Sequence, residues 1–526
     1  MADEPYIYRL PTEILLQIAG YLGATKDQPL RLQDLCRVSK KLLPIAQSEL
    51  YANAYLPFTC GCHPCVNPAV QLLRTLLQRP DLAAKVKALR FFATNQTITK
   101  LYKQKNFRLK SLRDECLWRL TEYGYTSKLD NPWRRCLLND VESAYVGVLL
   151  TLLPNLETLR FQVRETIQGY PSIEPLPAFF GSPVSYPMLA NLQKTVKHVG
   201  ISDIGFLRDT RFKTLKSLDL SYVDWQTLVR MQGPHTIKSA KSIESLCISM
   251  SIYVMEDYTN HGTGLSLRSL LEALDCYNVK SLSIKLRDQG EPQGSGEIFD
   301  SGELMRSIGV VAARLEKLDI DCDTNQDDHD WEMFLLNCQD PILSFDKFPS
   351  LKQLRIPQQL LFTHDHEFGE EVGVQLGELP EKLEHLEILY PDISILEWLE
   401  DFTRLEQYSR QRRSLKVLYL QCREDVMIES SAFTASPHPV WSKLPDYGVK
   451  CFISEDIDKQ ARDLEIMFSD HQKGGGDQDE DEDEHDEDED DEEKSDGSNS
   501  DMGMEQGDES KAKTPSLYDP KVADMD

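Results

Sequence analysis

Short apolar alternations recur along this chain. The pattern [LIV]-x-x-[LV]-x-[LIF] appears as VKALRF from Val86, LETLRF from Leu156, VKHVGI from Val196 and LKSLDL from Leu215. It returns as IESLCI from Ile243, VKSLSI from Val279, LEKLDI from Leu315, LKQLRI from Leu351, LEHLEI from Leu383 and LKVLYL from Leu415. Period-two alternation predicts a short strand with one buried face. From Ile243 onward the starts are spaced by 36, 36, 36, 32 and 32 residues. Near-constant spacing of one motif predicts a solenoid of repeating units. Apolar residues at helical spacing lie between copies. Val141, Tyr145, Val148, Leu149 and Leu152 fall within Asp140–Leu153, and Leu267–Leu274 and Leu304–Leu315 read the same way. The unit is therefore strand, loop, helix, loop, an α/β chain with insertions at 92–140, 164–195 and 287–303.

The first part of the chain has a different period. In LPTEILLQIAGYL, Pro11 suits a first helical position, where its missing N–H costs nothing. Ile14, Leu15, Ile18 and Leu22 then share a stripe. Leu32, Leu35, Val38 and Leu42 form a second stripe, with Lys40 and Lys41 beside it. A few short helices cannot build an adequate core alone, so these stripes need further apolar surface to bury.

The same stretch carries a family resemblance. LPTEILLQIAGYL followed by LRLQDLCRVSKKLLPIAQSELYA resembles an F-box over residues 8 to 55. That family opens on Leu-Pro-x-Glu, here Leu10, Pro11 and Glu13, and continues with Leu-x-x-Val-Ser-Lys, here Leu35, Val38, Ser39 and Lys40. Leu42 and Leu50-Tyr51 stand where the family often has Trp or Phe and Leu-Trp. The repeats resemble leucine-rich repeats of unusual length, and LLRTLLQRPDLAAKVKALRF is similar to fungal proteins that join both parts. The fold this implies is an N-terminal helical F-box, an irregular leucine-rich-repeat solenoid and a disordered acidic C-terminal tail. The boundaries are 1–57 for the F-box, 58–85 for a linker and first helix, and 86–453 for the solenoid. A capping helix over 454–470 and a tail over 471–526 complete the chain. Ser454 is placed as that helix's N-cap, with Ile457, Ala461, Leu464 and Phe468 on its apolar face.

The resemblance implies a function. F-box proteins dock on the Skp adaptor of cullin–RING, SCF-type ubiquitin ligases and present a target protein. Adaptor contacts would come from Leu10, Pro11, Ile14, Leu15, Ile18, Leu22, Leu32, Leu35, Val38 and Leu42. The other reading is a leucine-rich-repeat scaffold that uses the F-box in a non-ligase Skp-containing assembly. Neither requires a cofactor.

Strand geometry names a target surface. Residues between the buried positions point to the opposite face. They include Asp219, Ser221, Ser283, Lys285, Lys317, Asp319, Asp321, Gln353, Arg355, His385, Glu387, Val417, Tyr419 and Gln421. Lys285, Lys317, Asp319, Asp321, Arg355, His385, Glu387 and Tyr419 are the substrate-binding candidates, expected as a mixed-charge ribbon.

Charge narrows the partners. The net charge is −28, from 86 acidic and 58 basic residues. From Gly474 onward there are 23 acidic and 4 basic residues, which leaves 63 and 54 before it. A body of that sign repels phosphate backbones, so no nucleic-acid partner is expected. The polar start MADEPYIYRL has no signal-peptide core, and no apolar run approaches a membrane span. Twelve scattered cysteines point to reduced thiols in cytoplasm or nucleus.

Candidate chemistry is thin. CGCHPC groups Cys60, Cys62, His63 and Cys65 with no second ligand pair, so zinc is not expected. Asp321, Asp323, Asn325, Asp327, His329 and Glu332 match a calcium-loop spacing, but Gln326 stands where the turn needs Gly. That stretch and HDHE at 364–367 read as acidic loops, with no metal. DQDEDEDEHDEDEDDEE at 477–493 cannot bury apolar area. No P-loop, GxSxG, HExxH or GxGxxG after a strand is present, so no enzyme activity is expected.

Overall fold

A computed structural model describes residues 6–23, 28–56, 66–101, 107–122, 131–166, 175–180, 189–202, 204–223, 237–251, 267–287, 301–323, 342, 344–364, 371–373, 379–391, 394–408, 414–422 and 438–454. All belong to a compact unit of residues 1–474. The expected capping helix beyond Ser454, the acidic tail, CGCHPC and most of the calcium-like and HDHE loops lie outside the described residues. Ser454 itself ends a strand.

The chain opens with α1 (Thr12–Gly23), α2 (Gln28–Val38) and α3 (Leu43–Ala52). Leu15, Ala19, Leu32, Leu42 and Ile45 pack between them as a small separate cluster. α3 then runs without a break into β1 (Asn53–Tyr55). Helix α4 (Pro68–Gln78) follows, capped by Asn67, whose side-chain oxygen accepts from the Ala69 N–H.

The remaining strands are β2 (Ala88–Thr94), β3 (Thr158–Arg164), β4 (His198–Ile201), β5 (Ser217–Val223), β6 (Ser245–Ser251), β7 (Ser281–Arg287) and β8 (Lys317–Asp323). Then come β9 (Gln353–Pro357), β10 (Phe362–His364), β11 (Glu371–Gly373), β12 (His385–Leu389), β13 (Val417–Gln421) and β14 (Lys450–Ser454). Twelve strands form one sheet in chain order, with the antiparallel pair β10–β11 set aside between β9 and β12. Every pairing in the twelve-stranded sheet is parallel.

This corrects the expected architecture. A helical F-box followed by an irregular leucine-rich-repeat solenoid is not what the chain builds; it builds one continuous all-parallel sheet with helices. The opening helices are joined directly to the sheet, because β1 at the end of α3 pairs with β2, Asn53 opposite Ala88. The recurring motif specifies strands and crossovers, and a single continuous sheet satisfies that pattern. The predicted helix at 304–315 also shifts. It spans Ser301–Ile308, and a short 3-10 turn at Ala312–Arg314 leads into β8.

The motif's first, fourth and sixth positions build the core. Leu315, Leu318 and Ile320 are fully buried, as are their equivalents Leu351, Leu354 and Ile356. Each such side chain contributes roughly 1.5–3 kcal/mol of burial. The second position does something else. Its carbonyl accepts two N–H groups from the next strand's entry: Lys280 O from Glu316 and Lys317, Glu316 O from Lys352 and Gln353, and Lys352 O from Glu384 and His385. That position is Lys or Glu in all ten motif copies. Their side chains pair along the sheet: Lys197–Glu157 at 2.9 Å, Lys352–Glu316 at 2.8 Å and Lys416–Glu384 at 2.9 Å, with Glu244 between Lys216 and Lys280. The hydrogen bond from its lysine holds each of these four glutamates below the ordinary carboxylate range.

Candidate interaction surface

The motif's fifth position faces away from the core, and parallel register lines it up across the whole sheet. The row runs Tyr55, Arg90, Arg160, Gly200, Asp219, Cys247, Ser283, Asp319, Arg355, Glu387, Tyr419, Phe452. Neighbours in such a row are close enough for side chains to interact.

Near its C-terminal end the row holds an ion-pair cluster. The Arg355 guanidinium donates to Asp319 at 3.0 Å, Asp321 at 3.0 Å and Glu387 at 3.1 Å. Ser283 donates to Asp319 at 3.0 Å, and the Tyr390 hydroxyl donates to Asp321 at 3.2 Å. The Arg355 side chain is 19% exposed. Burial works against its charge, but the carboxylates of Asp321, Asp319 and Glu387 outweigh that and raise its pKa. These four substrate-binding candidates therefore meet. Lys285 lies opposite Asp321 on β7, half-buried, while Lys317 and His385 are exposed at strand starts. Tyr419 stacks instead on Phe452, ring centroids 5.8 Å apart.

The other end of the row is basic. Arg90 and Arg160 sit directly opposite each other on β2 and β3, with Arg164 further along β3. The Arg90 guanidinium lies over the Tyr55 ring at 5.2 Å, and that of Arg164 over Phe92 at 5.3 Å. Burial lowers the pKa of Arg90; Tyr55 and Asp219 oppose that, and Arg160 adds to it. Gly200 has a specific job here. A Cβ at that position would lie 2.7 Å from Arg160 Cγ, so glycine lets the Arg160 side chain cross β4 and approach Asp219 at 3.6 Å.

Behind these arginines lies an aromatic floor. Phe91 and Phe161 stack at 5.5 Å, and Phe161 meets Phe179 at 5.3 Å and Phe206 at 4.8 Å. The end of β2 is pinned by Glu142, which is fully buried. Its Oε1 accepts from Thr94 N–H at 2.8 Å, Thr94 Oγ1 at 3.2 Å and Asn67 Nδ2 at 2.9 Å. Sequence reasoning passed over Arg90, Arg160 and Gly200. The available signal was their shared fifth position with Asp319 and Arg355 once VKALRF, LETLRF and VKHVGI are aligned to LEKLDI.

The adaptor candidates divide by burial. Leu15, Leu32 and Leu42 are buried in the helical cluster, and Ile18, Leu22 and Leu35 are half-buried. Pro11 is exposed, as are Leu10 at 38%, Ile14 at 39% and Val38 at 69%. Tyr6 and Tyr21 are exposed in the same N-terminal segment.

Among the described residues no group of three His, Cys, Asp or Glu side chains is arranged to hold a metal ion, and no helix is long and apolar enough to cross a membrane. Searches against protein-family models and curated proteins find no match to this chain.

Proposed function

We propose that this chain is a substrate receptor of an SCF-type cullin–RING ubiquitin ligase. The segment whose sequence resembles an F-box binds a Skp-type adaptor, and the solvent face of the sheet holds a target protein. The observation that carries this reading is the division of labour in α1–α3. Leu15, Leu32 and Leu42 close a local core, while Leu10, Ile14 and Val38 remain exposed in the same Leu-Pro-x-Glu and Leu-x-x-Val segments. Exposed apolar side chains serve as anchors at an interaction surface, and a few such anchors dominate its energy.

The chain itself does no bond chemistry in this scheme. It raises the effective concentration of a target lysine near a ubiquitin-loaded conjugating enzyme and orients it. Calorimetric titration with a Skp-type adaptor tests the docking step. Ile14→Asp with Val38→Asp should weaken binding at least tenfold and leave the melting temperature nearly unchanged, since both residues are exposed. Unchanged adaptor affinity would end this reading. Co-purification then separates ligase from scaffold, because only a ligase receptor brings down cullin and RING subunits.

A further inference from the structure

We propose that the corner of the sheet face formed by Arg90, Arg160 and Arg164 binds a short carboxylate-rich segment of a target protein. The proposal rests on the receptor reading of the sheet face and moves the recognition site away from the Asp319–Glu387 cluster.

Three features carry it. First, like charges directly opposite on neighbouring strands are destabilising, and Arg90 and Arg160 are so placed. Asp219, 3.6 Å from Arg160, offsets part of that repulsion, and an incoming anion offsets more of it. Second, the arginines are preorganised. Tyr55 and Phe92 lie under two of the guanidinium groups, the stacked Phe91 and Phe161 rings lie behind them, and Gly200 opens the path for Arg160. A planar guanidinium pairs with a carboxylate through two parallel hydrogen bonds, so fixed orientation favours selectivity as well as affinity. Third, the row contains an internal contrast. Arg355 has three carboxylates within 3.1 Å and is committed to structure. Arg160 is exposed, and the carboxylate it approaches, Asp219, stands at 3.6 Å.

The length of the ligand follows from the face. Strands β2 to β4 span roughly 10 Å at about 4.8 Å per strand, which three or four extended residues cover. Five strands further along, about 24 Å from β3 by the same spacing, lie Asp319 and Asp321 on β8. A long polyanion such as nucleic acid would run onto those carboxylates, whereas a short acidic segment stays within the basic corner.

Fluorescence anisotropy with a labelled peptide that carries four consecutive Asp and Glu residues between neutral Gly-Ser flanks tests the proposal on the full-length chain. A neutral peptide, a phosphoserine peptide and a single-stranded oligonucleotide serve as comparisons. The acidic peptide should bind, with affinity falling as salt rises. Arg160→Glu with Arg164→Glu should weaken it at least tenfold, and the milder Arg160→Gln with Arg164→Gln should weaken it less. Lys443→Glu, exposed at the end of the short helix Pro439–Lys443 and away from the strands that carry the arginines, should leave binding within about twofold. Far-ultraviolet circular dichroism and melting temperature check that each variant folds. Absent binding, or equal binding by a folded arginine variant, overturns the proposal. Tighter binding of the phosphoserine peptide or the oligonucleotide overturns the choice of a carboxylate ligand. Adaptor titration on the same preparations keeps the two readings apart. Peptide binding without adaptor binding defeats the receptor function alone, and adaptor binding without peptide binding defeats only this site.

Discussion

Replacing Arg355 by Met should destabilise the protein by roughly 2–3 kcal/mol. Removing one partner of a fully buried ion pair costs about 3–5 kcal/mol, because it leaves the other charge uncompensated. Here the side chains of Arg355, Asp319 and Asp321 are 19, 18 and 15% exposed, so water recovers part of that loss. The change also leaves two aspartates on one strand, two residues apart, with Glu387 beside them. Met keeps most of the aliphatic volume, so the loss reports charge more than packing. Arg355→Lys keeps the charge and loses the fork that reaches three carboxylates, and should cost about 1 kcal/mol. The decisive variant combines Arg355→Met with Asp319→Asn and Asp321→Asn. If uncompensated carboxylates cause the loss, this triple change recovers most of it, since only Glu387, the most exposed of the three carboxylates at 34%, then keeps an unpaired charge. Urea unfolding followed by circular dichroism measures all three. A single variant within about 0.5 kcal/mol of the parent, or a triple variant no better than the single, would refute the reasoning.

Four further outcomes are expected. Glu142→Ala leaves the Thr94 and Asn67 donors without their acceptor and should cost about 3 kcal/mol by denaturant unfolding, whereas Glu142→Gln retains an oxygen there and should cost about 1 kcal/mol. Leu318→Ala empties a fully buried position and should cost about 2–5 kcal/mol in the same assay. Gly200→Leu should displace the Arg160 side chain, cutting acidic-peptide affinity in anisotropy while stability moves by about 1 kcal/mol or less. The lowered pKa of Glu157, Glu244, Glu316 and Glu384 gives a stabilisation present above the ordinary Glu value of about 4.3 and lost as pH falls through the lowered values. Melting temperature measured down to about pH 3 should therefore fall less steeply when all four are Gln.

Much of the local structure is legible in the sequence. The motif marks ten of the twelve strands of the sheet, because alternation of Leu and Ile with polar residues leaves a strand little choice of facing. β1 and β14 escaped it; NAY and KCFIS are short and do not repeat the full spacing. Grouping Asp319, Asp321, Arg355 and Glu387 was within reach, since equal motif positions become neighbours in a parallel register. The joining of helices and sheet was not, because nothing in LPIAQSELYANAY says that its last three residues pair with a strand more than thirty positions later. The Arg90–Arg160 corner needed Gly200 to be read as an absence of side chain on the strand between arginine and aspartate. A pattern written only in apolar positions discards that information.

Chain-order pairing has a kinetic side. Ser283 and Asp319, facing across β7 and β8, are 36 residues apart, and Arg355 and Glu387 across β9 and β12 are 32 apart. Even across the long insertion between β2 and β3, Asn95 reaches Glu165 over 70 residues. Relative to the 474-residue unit, separations near 36 correspond to a contact order of about 0.08. Parallel sheets are ordinarily slow to form, because distant segments must find each other before any pairing rewards the closed loop. Here each strand, once laid down, templates the next one to emerge, so the sheet can assemble during synthesis from its N-terminal edge, without waiting for the end of the chain.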